Sequence, residues 1–272
     1  MAYFPQRPHV ALSTAAFFAV PLREAFRHAA EAGFDGVEVM VTKDPGTQEP
    51  HLLKDAAREF GLGIVAMHAP FLLMSRKVFG VDPVEKIHRT VHLAEEVGAP
   101  LVVAHPPYRW QVGYRRWLEE NLPGFAERTG VVVGVENMFP IRLPTDGGGR
   151  GGVRMHAGHP LRDLERFDRV VLDTSHAAVA GVDLLDAARR LDGRLAHVHL
   201  SNNAGRGWDS HLPIDEGVLD LDAFLAELAV RGFGGTVSLE LDIRRHLGDE
   251  AATRDVLIRN RERSEAGLLA AA

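Results

Sequence analysis

The chain has 272 residues, 46% of them hydrophobic, a formal net charge of −6 and no cysteine. A core of the size this length permits needs no metal or disulfide to fold. The missing cysteines exclude disulfides, thiolate catalysis and Cys-based zinc sites, leaving N and O donors for any ion. Four lysines in a net acidic chain exclude a global basic field for nucleic acid. No apolar stretch approaches the roughly 20 residues of a membrane span, and the first residues, MAYFPQRPHV, lack a signal-peptide core, so a soluble cytoplasmic protein is expected.

Val10–Ser13 reads as the first strand, and Leu22–Ala32 as a helix with Leu22, Phe26 and Ala29 on one face, stopped at Gly33. Gly36–Met40 is a second strand, His51–Phe60 a charged helix closed by Gly61, and Gly63–His68 a third strand. Pro83 opens a helix to Val97, before Gly98. Leu101–His105 is strand four, Arg115–Arg128 a helix bent at Pro123, and Val131–Glu136 strand five. A short helix Leu161–Phe167 leads to strand six, Val170–Asp173; helix Val182–Leu191 leads to strand seven, Leu195–Leu200. Helix Asp222–Val230, capped by Asp220 or Asp222, precedes strand eight, Thr236–Leu241, and a last helix runs through Arg254–Leu268.

Strands alternating with helices of this length imply a parallel sheet, and eight pairs imply closure into a (β/α)8 TIM barrel spanning 1–272 as a single α/β domain. An open doubly wound sheet would want a glycine-rich phosphate turn after strand one, where the sequence reads STAAFFAVP. Two long loops stand out: Met138–His159, with TDGGGRGG, reads as flexible, and Ser201–Gly217 follows strand seven on the active face.

Six of the apolar runs end in a histidine or a carboxylate: His68, His105, Glu136, Asp173, His199 and Glu240. C-terminal strand ends are where such a barrel keeps its chemistry. Two short motifs add candidates: Asp173-Thr-Ser-His176 places His176 about a turn beyond the strand-six carboxylate, and Asp209-Ser-His211 places two donors on one side of an extended segment. Nine ligands are too many for one ion and suit two or three, with Glu136 and Glu240 as bridging carboxylates. Such crowding without cations incurs desolvation and like-charge costs that metal relieves. The expected cofactor is therefore one to three divalent ions, zinc first, with manganese, cobalt or iron as alternatives. His28, His88 and His92 are expected on solvated helix faces, and His197, deeper on the strand face of His199, in the core or behind a ligand.

The ordered set AGFDGVEVM, IVAMHAPF, VVAHPP, GVENM, VLDTSHAAVAG, HVHLSNN, the D-x-H-L-P-x-D-E-G stretch and SLELD resembles the xylose isomerase-like barrel superfamily over nearly the whole chain. That superfamily holds sugar isomerases and epimerases together with the endonuclease IV group of repair enzymes. The resemblance implies a common metal site at Glu136, Asp173, His199 and Glu240. The further ligands of the trinuclear zinc site of endonuclease IV are matched by His68, His105, His176, Asp209 and His211. Against the repair group, the segment after His199 lacks its S-R-V-D-R-H wording, ENMFP departs from its E-T/N-x-A-G, and VTKDPGTQ lacks the arginine inserted into duplex. Phe71-Leu72 resembles its aromatic-aliphatic wedge, with mouth packing as the plainer reading.

The favoured expectation is a metal-dependent isomerase or epimerase of a small sugar, sugar phosphate or related hydroxy-carbonyl compound, with Glu136 and Glu240 as catalytic proton carriers. The alternative is a di- or trinuclear phosphoester hydrolase, the only reading that brings nucleic acid in as a partner; a non-catalytic binding barrel is a third. Arg109, Trp110, Phe71 and Asn202 are the substrate-binding candidates. The Tyr108-Arg109-Trp110 and Tyr114–Trp117 segment can stack on sugars or bases and grip phosphate, or simply pack as a helix start. Arg142, Arg150 and Arg154 are candidates to close over a phosphate. The sequence carries no sign of oligomeric state.

Overall fold

The computed structural model describes residues 8–18, 20–70, 77–139, 142–143, 153–154 and 160–269. Eight parallel strands close into a barrel: β1 (His9–Ser13), β2 (Gly36–Met40), β3 (Gly63–His68), β4 (Leu101–Ala104), β5 (Val132–Glu136), β6 (Val170–Asp173), β7 (Leu195–Leu200) and β8 (Thr236–Leu239). Each pairs with its neighbour in chain order, and β8 returns to β1 with His9 opposite Thr236. Closure rules out the open doubly wound sheet and leaves the barrel with no free edge.

The helices are α1 (Leu22–Glu31), α2 (Pro50–Phe60), α3 (Pro83–Val97), α4 (Val112–Asn121), α5 (Phe125–Thr129), α6 (Pro160–Leu164), α7 (Thr174–Ala180), α8 (Leu184–Arg190), α9 (Leu221–Val230) and α10 (Glu250–Leu269). The local signals explain most boundaries. Pro50 and Pro83 open α2 and α3, where a missing N–H costs nothing. Asp82, Asp183 and Asp220 accept hydrogen bonds from the first turns of α3, α8 and α9. Gly61 and Gly98 close α2 and α3 at φ +67° and +76°, a region that disfavours a Cβ. The expected helix 115–128 is instead two helices, because Pro123 cannot donate to the ladder and Gly124 turns left-handed at φ +65°. Helix α7 was not expected from the pattern; its seven residues are too few for a period to emerge.

Alternation along each strand points one set of side chains at the helices and the other into the barrel. The outward set and the helix faces form the main core, in which Leu22, Phe26 and Ala29 of α1 are buried. Inside lies a separate small cluster of Ala66, Leu101, Val103 and Val171. His28 corrects an expectation: it is buried, with its ring stacked on Phe17 at 4.9 Å, not solvated.

Candidate metal centre

All nine sequence-identified donors converge at the C-terminal mouth. His68, Glu136 and Asp173 end β3, β5 and β6; His199 is one residue from the end of β7; His105 and Glu240 follow β4 and β8 directly. His176 stands in the first turn of α7, and Asp209 and His211 come from the loop after β7.

Glu136 is the hub. Its Oε2 lies 3.0 Å from His105 Nε2 and 3.6 Å from His68 Nε2, and its Oε1 lies 2.8 Å from His199 Nδ1 and 3.6 Å from His176 Nδ1. Glu240 Oε2 is 3.1 Å from the same His199 Nδ1. On the far side, His176 Nε2 and His211 Nε2 lie 3.3 and 2.7 Å from Asp209 Oδ2. Three donor groups overlap: His68, His105 and Glu136; Glu136, Asp173 and His199; Asp173, His176 and His211. Glu136 joins the first two and Asp173 the last two.

The local sequence explains how each donor is aimed. Asp173 caps α7: its Oδ1 accepts the backbone N–H of His176 at 2.7 Å, which leaves Oδ2 facing the mouth. Thr174 and Ser175 complete the motif, the first donating to the Ser201 carbonyl at 2.6 Å and the second to Asp209 Oδ1 at 2.6 Å. Asn137 clamps β5 to β6 by bonding both the N–H and the carbonyl of Asp173. His211 sits at φ +41°, so it is not the straight extended segment expected from Asp209-Ser-His211 that brings these two donors together.

Four histidines have their second ring nitrogen occupied. His68 Nδ1 bonds the Ala69 carbonyl at 3.0 Å and His176 Nδ1 the Asn137 carbonyl at 3.0 Å; since a carbonyl only accepts, both rings present Nε2 to the mouth. His211 Nδ1 meets Ser201 Oγ at 3.1 Å, and His199 Nε2 meets Glu38. Orientation of this kind is characteristic of imidazoles that bind metal.

The donor set fits divalent cations. Among the described residues, Asp173 Oδ2 is a buried carboxylate oxygen with no hydrogen-bond partner, and buried Glu136 Oε2 meets only imidazole nitrogens. With protons as the sole counter-charge, burial alone would raise Glu136, yet the charges of His199 and His105 hold it well below the usual carboxylate range. Burial likewise opposes charge on His199 and His176, but Glu38 and Glu136 around the first, and Asp173 and Asp209 around the second, raise both well above the ordinary imidazole value. Burial pushes Asp173 up to about 6 against the pull of His176 and His211. Protons thus stand in for positive charge the cluster demands, and both carboxylates shared between donor groups, Glu136 and Asp173, are displaced from the ordinary range.

The cluster floors a cavity of ≈ 570 Å³ whose wall includes Phe18, Met138, Phe139 and Trp208. Trp208 and Phe18 are 53% and 51% exposed although apolar. The substrate-binding expectations fare differently. Arg109 and Trp110 are exposed and are not among the residues lining this cavity; Trp110 stacks on Tyr108 at 5.0 Å. Asn202 is a correction: it is buried and its carboxamide is spent on the loop, donating to the Ile214 and Leu219 carbonyls and accepting from the N–H groups of Asn203 and Leu219. Gly217 permits that knot, since a Cβ there would meet Asn202 Oδ1 at 2.2 Å. Phe71, Leu72, Arg150, His156 and His159 lie outside the described residues; 142–143 and 153–154 form a two-stranded antiparallel pair.

Sequence reasoning missed Glu38 and Trp208. Glu38 is wholly buried in β2, with Oε2 2.7 Å from His197 Nε2 and Oε1 3.0 Å from His199 Nε2. The signal was a carboxylate inside the apolar strand GVEVM, expensive to bury unless partnered.

Known proteins share this arrangement of elements. The family model described as xylose isomerase-like TIM barrel matches residues 26–261. An uncharacterised protein of Mycobacterium tuberculosis is 35% identical over 246 residues, covering 85% of this chain and 88% of that one. A protein of Mycobacterium leprae described as a probable endonuclease 4 is 25% identical over 226 residues, 74% of this chain and 82% of that one. Among solved structures, an L-ribulose 3-epimerase superposes with TM-score 0.68 at 19% identity over 97% of this chain and 95% of its own. An AP endonuclease, family 2, from Brucella melitensis superposes with TM-score 0.65 at 21% identity over 87% and 94%. At these identities the two structures speak to the fold alone.

Proposed function

We propose that this chain, which belongs to the xylose isomerase-like TIM barrel family, is a multinuclear metal-dependent hydrolase that cleaves a phosphoester at the barrel mouth. One observation carries the reading: three donor groups share Glu136 and Asp173, an arrangement suited to two or three neighbouring ions and in excess of what a single ion needs. His68, His105 and Glu136 would hold one ion, Glu136, Asp173, His199 and Glu240 a second, and His176, Asp209 and His211 a third. Bound there, divalent ions would supply Lewis-acid stabilisation of the phosphoryl oxygens and acidify water.

The chain's own groups supply the rest. Glu240 is 14% exposed and faces the cavity, so its carboxylate can take a proton from attacking water and return it to the leaving oxygen. Asp209 is held in place by Ser175 and by His211, which keeps one end of the mouth rigid. Phe18, Phe139 and Trp208 shield the centre from bulk water, which strengthens every charge interaction below them. The relative described as a probable endonuclease 4 supports this reaction class. Duplex DNA is not the favoured substrate: the arginine among the described lining residues, Arg244, has its guanidinium on Asp242 at the 2.5 and 2.8 Å contacts of a closed pair.

A second reading, isomerisation or epimerisation of a small sugar or sugar phosphate, is favoured by one feature. Glu136 and Glu240 both reach His199 Nδ1, at 2.8 and 3.1 Å, and so flank one point in space where a proton can be removed and returned. Against it, Glu136 is ringed by four imidazoles and is poorly placed to exchange protons.

The test is a metal count followed by turnover on three panels: bis(p-nitrophenyl) phosphate and p-nitrophenyl phosphate, a duplex carrying an abasic site, and ketoses with their phosphates in D2O. Two or three equivalents of metal with hydrolysis of the aryl esters is the expected result. Deuterium incorporation into a ketose without any hydrolysis would transfer the assignment to the second reading.

A further inference from the structure

Glu38 stands outside the nine mouth residues and has no part in the reaction described above, yet it is among the most completely buried charged groups of the described chain. It projects from the middle of β2 into the barrel, and its partners come from β7, with β1 and β8 lying between the two around the closed sheet. Both partners are on the inward face of β7, because residues two apart on a strand point the same way. Glu38 Oε2 lies 2.7 Å from His197 Nε2 and 3.1 Å from His199 Nε2, and Oε1 lies 3.0 Å from His199 Nε2. The two imidazole rings are perpendicular, with centroids 5.2 Å apart, so one carboxylate can satisfy both N–H groups without the rings competing for the same lone pair.

These three side chains could be taken for an ion site of their own. Their contacts argue otherwise. The donor atoms are already in hydrogen-bond contact and the side chains are at most 1% exposed, so an ion would have to break the bonds that hold the group together.

We infer that Glu38 is a positioning residue that fixes His199 in the mouth, and that His197 is the anchor that holds Glu38. The inference rests on the reading of His199 as a metal ligand. Accepting the Nε2–H of His199 forces its other nitrogen, Nδ1, to be the lone-pair bearer, and Nδ1 is the atom that lies between Glu136, Glu240 and Asp173 at 2.8, 3.1 and 3.8 Å. The carboxylate also places a negative charge one ring away from the ions, which makes Nδ1 a better donor. His197 bonds the same carboxylate and keeps it from swinging toward the mouth, where it would join as an unwanted ligand.

The experiment compares zinc affinity of the full-length wild type, Glu38→Gln, Glu38→Asp and His197→Gln by competition with a chromophoric chelator. Unfolding temperature of the metal-free proteins and the visible spectrum of the cobalt(II)-loaded proteins are recorded beside it. Glu38→Gln should retain the wild-type fold, lose about 10- to 100-fold in affinity for the ion at His199 and shift the cobalt bands. Glu38→Asp keeps the buried charge but withdraws it from His199, so it should lose affinity too, and it carries the same readout if Glu38→Gln fails to fold. His197→Gln should fall between wild type and Glu38→Gln. A Glu38 variant that lowers metal-free stability but leaves affinity and cobalt spectrum unchanged would overturn the inference while leaving the metal centre standing. A wild type that takes up no metal would remove the centre itself.

Discussion

The two halves of the barrel interior are built from opposite materials. Across β3 to β6 the interior is closed by Ala66, Leu101, Val103 and Val171, all small or branched and apolar. Across β7, β8, β1 and β2 the corresponding depth holds His197, Ser238 and Glu38, all buried. Both halves close the same sheet and end in mouth residues, so closure does not require polarity inside. The polar half carries a desolvation cost of several kcal/mol per uncompensated charge, which excellent pairing must offset. It stands beneath His199, whose second nitrogen is held by a carboxylate where those of His68, His176 and His211 are held by a carbonyl or a hydroxyl. The lesson is that both halves feed the mouth, but only the β7-to-β2 half carries charged groups below it.

The largest effect should come where the halves meet. Glu136→Gln removes the carboxylate shared by two donor groups, and purified protein should lose at least one equivalent of metal by elemental analysis, with turnover below detection. Glu240→Gln, on the polar side, should lower kcat by roughly 10²–10⁴-fold while circular dichroism stays that of the wild type; retained activity would reassign the proton carrier. Leu101→Ala should do the reverse. Urea unfolding should report a loss of about 2–5 kcal/mol, and zinc affinity should stay at the wild-type value. If affinity falls as well, the halves are coupled and the comparison fails. Stripping the metal from wild-type protein should leave it folded, since the large apolar core does not depend on the ions, but at a free metal concentration of about 100 Kd the loss is about 2.7 kcal/mol. Thermal melts with and without chelator should differ by about 5–10 °C. The smallest effects belong to Arg109→Ala and Trp110→Ala, outside the described cavity wall, whose stability and kcat/KM should stay within about 0.5 kcal/mol of wild type.

Much of this molecule was legible from its chain. Eight strands and their parallel order follow from apolar runs alternating with amphipathic stretches, and most helix ends follow from Asp caps, leading prolines and trailing glycines. Seven of the nine mouth donors were visible because each sits at a strand end or within a turn of one, where local position already implies which face it occupies; Asp209 and His211, in the loop after β7, were visible only as a D-x-H pair. Failures have local causes too. Helix α7 is too short to show a period, Pro123-Gly124 split a helix that hydrophobicity joined, and His28 looked solvated until Phe17 was found stacked on it. Asn202 was read as a substrate-binding candidate; its carboxamide ties a loop whose shape no pattern specifies.

Taken alone, the order of residues determined that an eight-fold β/α repeat would close and which side chains would crowd its mouth, because strand periodicity and chain direction are local properties. Folding in three dimensions decided which nitrogen each imidazole presents, that Glu136 and Asp173 are shared, and that Glu38 reaches His197 and His199 across the barrel. Those are distances between groups as many as 161 positions apart, and nothing in the neighbourhood of either residue encodes them.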